Sequence, residues 1–226
     1  MRLILIRHGQ TESNVHRLLD TAMPGPGLTE LGQQQAAGLV SALAEQPLDA
    51  IYSSIATRAQ QTAAPLAANR ELVPIIREGA REIAAGDLEM SAEMASVMAY
   101  LKVVSAWLQG DREVRMAGAD TGTEVLSRFD AVVQEALEAG HNSAAIVSHG
   151  AMIRTWTACR AVNIDQRTPE KYDLSNTGVV VLEDGTGDPE RPWTVTSWAG
   201  EPAGGAQLAD PLHDGPNVGS WTAESR

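Results

Sequence analysis

Arg7-His8-Gly9 stands directly after the apolar run Leu3-Ile4-Leu5-Ile6, and the same design, Val147-Ser148-His149-Gly150, returns late in the chain. A neutral imidazole nitrogen can attack phosphorus, and the planar guanidinium of a neighbouring arginine offers a fork of donors matched to phosphate oxygens. Gly9 frees the backbone to turn and to approach a ligand closely. Ser53-Ser54-Ile55-Ala56-Thr57-Arg58-Ala59 puts another arginine at a predicted helix start. The helix dipole disfavours an ordinary cation there, but a cation together with free N–H groups attracts an anion. Arg81-Glu82 adds a carboxyl that, inside a phosphate pocket, would hold the proton a leaving alkoxide needs. Each feature alone has an ordinary structural reading: a strand-end Arg-His pair, a satisfied histidine, a solvated loop glutamate. Two His-Gly turns beside an Arg-bearing helix start point instead to one shared site.

The elements that must position these residues follow from hydrophobic spacing. Leu3–Ile6 and Ala144–Val147 are short continuous apolar runs, as strands buried on both faces require. Leu48–Tyr52, Leu72–Ile76, Gly178–Leu182 and Trp193–Trp198 read as further strands. Helices are predicted over Thr29–Leu43, over Arg58–Ala68 with Thr57 and Gln60 at capping-box spacing, and over Ala151–Arg160. Ser91–Leu108 carries a core stripe of Met94, Val97, Met98, Leu101, Val104 and Leu108, and Thr121 with Glu124 caps a helix running through Leu137. Alternating strands and helices predict an α/β fold, a three-layer α/β/α sandwich around a mostly parallel central sheet. In such sheets ligands sit past the C-terminal strand ends, where Arg7 and His8 fall. The domain reading is one unit over residues 1–200 with a helical lid at about 88–120, then a Gly/Pro-rich tail over 201–226. From Asp184 onward Gly, Pro and small polar residues prevail, and Trp193, Trp198 and Trp221 are the expected anchors.

A chain of 226 residues with 43% hydrophobic and 20% charged residues is not disordered or fibrous. Its net charge of -12 leaves no broad basic face for nucleic acid or an anionic membrane, so attraction to phosphate must come from local arginines. Cys159 is the only cysteine, which excludes an internal disulfide and a cysteine-based zinc site and suits a buried small apolar role. The first apolar run is too short for a signal sequence or a membrane span. The expectation is a cytoplasmic protein with no metal, no cofactor, and no nucleic-acid or membrane partner, homodimerisation being left open. No Walker A loop or dinucleotide fingerprint is present. His16, His141 and His213 have no motif partners and are expected in solvated positions.

Arg7-His8-Gly9, Asn14, Arg58 in its Ser-x-x-x-Arg-Ala context, Glu82 and His149-Gly150, in this order, resemble the histidine phosphatase superfamily, which includes cofactor-dependent phosphoglycerate mutases and many phosphatases. Leu28-Thr29-x-x-Gly32, Gly122-Thr123-Glu124 and Ser175-Asn176-Thr177 match its looser patterns, and the likeness runs from residue 2 to about 182. The resemblance implies metal-free phosphoryl transfer. His8 would carry the phosphoryl group, Arg7, Arg58, His149 and Asn14 would hold its oxygens, and Glu82 would act as general acid and then base. Gly150 and Thr11 join the substrate-binding set. Two departures bear on substrate. Leu88-Glu89-Met90 stands where relatives often have Trp-Glu-Gly, and the basic and aromatic insert of glycolytic mutases is replaced by a mostly apolar Met90–Gly118 with only Lys102, Arg112 and Arg115 as cations. The favoured function is a phosphomonoesterase acting through a phosphohistidine on a small phosphorylated substrate. The alternatives are a 2,3-bisphosphoglycerate-dependent phosphoglycerate mutase and a catalytically silent phospho-ligand binder.

Overall fold

In the computed structural model, which describes residues 1–165 and 172–216, the apolar runs become strands covered on both faces. Along β1 (Arg2–Arg7) the side chains alternate, Leu3 and Leu5 entering one core and Ile4 and Ile6 the other. The remaining described strands are β2 (Ala50–Ser54), β3 (Ile75–Arg77), β4 (Ser143–Ser148), β5 (Val179–Asp184) and β6 (Trp193–Ala199). They form one sheet in the order β3-β2-β4-β1-β5-β6. The pairs β3–β2, β2–β4 and β4–β1 are parallel, and β1–β5 and β5–β6 are antiparallel.

The helices are α1 (Glu12–Val15), α2 (Glu30–Ala42), α3 (Thr57–Asn69), α4 (Met94–Leu108), α5 (Gly122–Glu138) and α6 (Gly150–Arg160). Leu39 of α2 and Ala59, Ala63 and Leu66 of α3 pack on one face of the sheet. Trp107, Phe129 and Trp156, from α4, α5 and α6, pack on the other. The architecture is therefore the expected three-layer α/β/α sandwich with a mostly parallel sheet. Among the described residues no helix is long and apolar enough to cross a membrane.

Several local expectations need correction. Thr57 does not cap α3: Ala56 is the N-cap without a side-chain bond, the Thr57 N–H donates to Pro24 O, and Gln60 reaches back to Ile55 O. Leu72 is not yet strand, because its N–H closes the end of α3 on Ala67 O, and β3 starts at Ile75. On α4 the buried face is Val97, Tyr100, Val104, Trp107 and Leu108, while Met98 is 49% exposed. The aromatic rings, with more area to bury than methionine, turn the helix toward themselves. His141 packs edge-on against Tyr52, and His213 pairs with Asp210 at 2.9 Å rather than standing free. Thr121 and Glu124 do form their capping box, and Cys159 is a buried free thiol.

Packing continues past residue 200. Ala203 is buried in the α2–α3 core, Gln35 donates to Leu208 O at 2.9 Å, and Gln10 donates to Asp210 at 3.1 Å. The chain then crosses the C-terminal ends of the strands as far as Pro216. Polar side chains hold this last segment, while the region from Asp184 onward is docked as expected by Trp193, buried against Trp156, and by Trp198, which donates to Asp173 O at 2.7 Å; Trp221 lies outside the described residues.

Candidate active site

The register of β1 against β4 brings the two histidines together. Arg7 lies opposite Ser148 in the parallel ladder, so His8 and His149 leave adjacent strand ends side by side. The His8 N–H donates to Ser148 O at 3.0 Å, and the two rings meet edge to face with centroids 5.1 Å apart. Gly9 is required here: a Cβ would lie 2.6 Å from Gly32 O, because α2 crosses directly over the turn.

His8 Nδ1 lies 2.7 Å from Gly9 O. A carbonyl only accepts, so Nδ1 carries the proton and Nε2 is left with its lone pair free. Burial pushes the His8 pKa well below the usual imidazole value, and the positive charges of Arg58 and Arg7 add to that. His149 is depressed in the same way, first by burial and then by Arg58. Its Nε2 sits 2.9 Å from Ser54 Oγ, and its Nδ1 is buried without a partner. Both rings are thus held neutral at ordinary pH.

Arg7 and Arg58 converge from β1 and the first turn of α3. Arg7 Nη1 donates to Leu174 O at 2.6 Å, yet its Nε is buried with no acceptor. Arg58 Nη2 donates to Asp20 O at 3.2 Å, and its Nη1 is likewise buried and unpaired. Burial lowers the Arg58 pKa, while Asp20 and Glu82 oppose the shift. Buried guanidinium donors without acceptors are costly, and an incoming anion is what would satisfy them. Gly150 allows Arg7 its position: a Cβ there would lie 3.1 Å from Arg7 Nε.

Glu82 closes the site from the loop after β3. Its carboxylate accepts the N–H groups of Ile83 at 2.9 Å, Ala151 at 3.1 Å and Met152 at 2.8 Å, so it rests on the N-terminus of α6. Arg128, from α5, fixes this loop by donating to Gly79 O and Arg81 O, both at 2.7 Å, and to Glu82 O at 2.8 Å. Burial pushes the Arg128 pKa down to about 10.

Asn14 lines the cleft; its Oδ1 accepts from Thr11 N–H at 3.0 Å and from Asn176 Nδ2 at 3.3 Å, so its own Nδ2 is the group left for a ligand. Thr11 is placed otherwise. It is buried, serves as the N-cap of α1, and does not line the cleft. Arg7, His8, Asn14, Arg58, Glu82 and Gly150 share the cleft wall, with His149 beneath His8. Among the described residues no group of three or more His, Cys, Asp or Glu side chains is placed to hold a metal ion.

Several participants are not among the site residues expected from the sequence. Asp214 enters from the C-terminal segment, its carboxylate 3.0 Å from Arg7 Nη1 and 2.8 Å from Asn176 N–H, and its carbonyl accepts from Arg7 Nη2 at 2.5 Å. Burial raises the Asp214 pKa against these partners. Glu89, within the atypical Leu88-Glu89-Met90, accepts from Thr21 N–H at 2.7 Å and Ala22 N–H at 2.9 Å and so ties down the loop whose Asp20 carbonyl meets Arg58. Arg154 also lines the cleft. Its spacing, four residues after Gly150 on a predicted helix, was a usable signal.

Comparison with known proteins gives the same picture. The model of the histidine phosphatase superfamily (branch 1) matches residues 3–198. The PE-PGRS family protein PE_PGRS11 of Mycobacterium tuberculosis is 36% identical over 223 residues, which are 92% of this chain and 38% of that protein. This chain therefore spans well under half of that relative's length. Phosphoserine phosphatase 1 of Hydrogenobacter thermophilus is 28% identical over 187 residues, covering 80% of this chain and 86% of that protein. The structure of a mycobacterial glucosyl-3-phosphoglycerate phosphatase superposes with a TM-score of 0.73 at 23% identity, covering 88% of this chain and 99% of that one. At that identity the likeness speaks for the fold.

Proposed function

Because the chain belongs to the histidine phosphatase superfamily, we propose that it is a metal-independent phosphomonoesterase working through a phosphohistidine at His8. One observation carries this reading: a neutral His8 with Nδ1 committed to Gly9 O faces the same cleft as arginines with buried, unpaired donors. The first half-reaction forms a bond from His8 Nε2 to phosphorus and breaks the bond from phosphorus to the ester oxygen. Glu82 gives that oxygen its proton, a proton that a phosphate monoester monoanion brings with it near its second pKa of about 6. The second half-reaction reverses the roles. Water forms the new bond to phosphorus, the bond to Nε2 breaks, and Glu82 takes the water's proton. Arg7, Arg58, Asn14 Nδ2 and His149 meet the charge on the equatorial oxygens, which is the positioning and electrostatic task of phosphoryl transfer.

Phosphate release from p-nitrophenyl phosphate in the presence of EDTA tests this reading, with His8→Ala and Glu82→Gln beside the wild type. EDTA-resistant turnover that His8→Ala abolishes is expected, with an acid-labile phosphoprotein trapped only when His8 is present. Glu82→Gln should lower kcat by about 10²–10⁴ on alkyl phosphates and less on the aryl ester, whose leaving group needs little protonation. Turnover that survives His8→Ala overturns the covalent mechanism. Formation of 2-phosphoglycerate from 3-phosphoglycerate primed by bisphosphoglycerate, without net phosphate release, replaces hydrolysis by the mutase reaction.

A further inference from the structure

Residues 81–85, which carry Glu82, belong to no strand or helix, yet every carbonyl over residues 79–83 accepts a hydrogen bond from a side chain outside that loop. Arg128 Nη1 donates to Gly79 O and Arg81 O, both at 2.7 Å, and Arg128 Nη2 donates to Glu82 O at 2.8 Å. Ser148 Oγ, at the end of β4, donates to Ala80 O at 2.8 Å, and the Tyr100 hydroxyl of α4 donates to Ile83 O at 3.1 Å. The loop also lies directly on α5, since a Cβ at Gly79 would collide with Arg128 O. Arg128 is half-buried, its Nε has no partner, and its guanidinium makes no ion pair with a described residue. A cation drawn out of water onto neutral carbonyls, with no carboxylate to neutralise it, is a poor source of stability. What its planar fork supplies is geometry, because it fixes several acceptors relative to one another.

Two of the carbonyls on that fork, Arg81 O and Glu82 O, belong to the peptide groups on either side of the Glu82 Cα. The Glu82 carboxylate itself touches only backbone N–H groups, those of Ile83, Ala151 and Met152, so its reach into the cleft is decided by where its own backbone lies. Proton transfer requires the carboxyl to come within about 2.6–3.2 Å of the ester oxygen, and a displacement of about 1 Å costs about 10²-fold in rate. We propose that Arg128 is a positioning residue for the general acid: its fork sets the point at which the Glu82 carboxyl meets the leaving oxygen. Arg128 does not line the cleft and so acts through Glu82 rather than on the substrate. The inference rests on the phosphatase reading above and deepens it.

The test compares kcat/KM for phenyl phosphate and p-nitrophenyl phosphate, two esters of similar shape whose leaving oxygens differ in how much they need a proton. This ratio reports the steps up to the phosphohistidine and leaves out its hydrolysis. Arg128→Gln is expected to lower kcat/KM by about 10- to 100-fold on phenyl phosphate and by much less on p-nitrophenyl phosphate. Arg128→Lys, which keeps the charge and a single donor, should recover part of the loss. In a Glu82→Gln background Arg128→Gln should cost little more, because the two residues act as a unit. Equal loss on both esters, no loss on phenyl phosphate, or a full further loss in the Glu82→Gln background overturns the inference and leaves the phosphatase reading intact. Where Arg128→Gln does not fold, Arg128→Lys carries the comparison, and an unchanged ratio between the two esters overturns the inference. A Glu82→Gln variant that loses both esters equally removes Glu82 as the acid, and the role of Arg128 with it, while hydrolysis through His8 stands. No turnover of either ester by the wild type overturns the phosphatase reading and this inference together.

Discussion

Acidification should destabilise this protein through the two buried histidines of the cleft. His8 and His149 are 5% and 0% exposed, and burial with the nearby arginines holds both pKa values well below 6.5. A histidine depressed in the folded state is protonated more readily when unfolded. Stability is therefore full above pH about 6.5 and falls as the pH drops below it, until the folded-state value is reached. While the folded rings stay neutral, each costs about 1.4 kcal/mol at pH 5.5 and about 2 kcal/mol at pH 5, so the pair costs about 3 and about 4 kcal/mol. Asp214 acts in the opposite sense, because its raised pKa makes the folded chain take up a proton more readily below that value. Urea unfolding in phosphate-free buffers at pH 7.5, 6.5, 5.5 and 5.0 measures the slope. A His8→Asn, His149→Asn double variant cancels the Asp214 contribution when subtracted. The single His8→Asn variant should show about half the wild-type loss. A flat profile between pH 7.5 and 5.5, or a loss that persists undiminished in the double variant, would refute the conclusion that both rings are buried and neutral.

Two further substitutions probe contacts that lie outside the motifs. Asp214→Ala removes the carboxylate that now sits on the Arg7 fork, so inorganic phosphate should inhibit at an about five-fold lower concentration, the equivalent of about 1 kcal/mol. Weaker inhibition would mean that Asp214 orients Arg7 rather than competing for it. Met90 is 53% exposed and held at a φ of 60°, a left-handed conformation that costs a side-chain-bearing residue about 1 kcal/mol. Met90→Gly should raise stability by about 0.5–1 kcal/mol and Tm by about 1–4 °C in a chain of this length, read by calorimetry.

What was legible in the sequence was local. A run of four apolar residues followed by Arg-His-Gly needs only its own composition to be read as a buried strand delivering polar groups at its end, and β1 and β4 behave so. Pairing of His8 with His149 needed one further fact, that β1 and β4 are neighbours, which the sequence does not state because β2 and β3 come between them in the chain. Thr57 shows the converse error. Its spacing to Gln60 fits a capping box, but Pro24 O from a distant loop took its N–H and the helix began one residue early. Asp214 and Arg128 were invisible for the same reason, since each acts on a partner many residues away and neither has a periodicity to betray it.

Under the proposed mechanism, these distant residues explain how one cleft would serve both halves of the reaction. A nucleophilic histidine must stay unprotonated beside a site that gathers anions, although an anion nearby favours the imidazolium. The structure resolves this by burying His8 between cations. Arg7 and Arg58 lower its pKa when the cleft is empty, and a bound phosphoryl group would neutralise them without supplying a proton to a nitrogen already facing phosphorus. Asp214 pairs with Arg7 in the empty cleft, and Arg128 fixes the backbone that carries Glu82. Removing any of the three cations should therefore change the pH dependence of kcat along with its magnitude, which a role in packing alone would not produce.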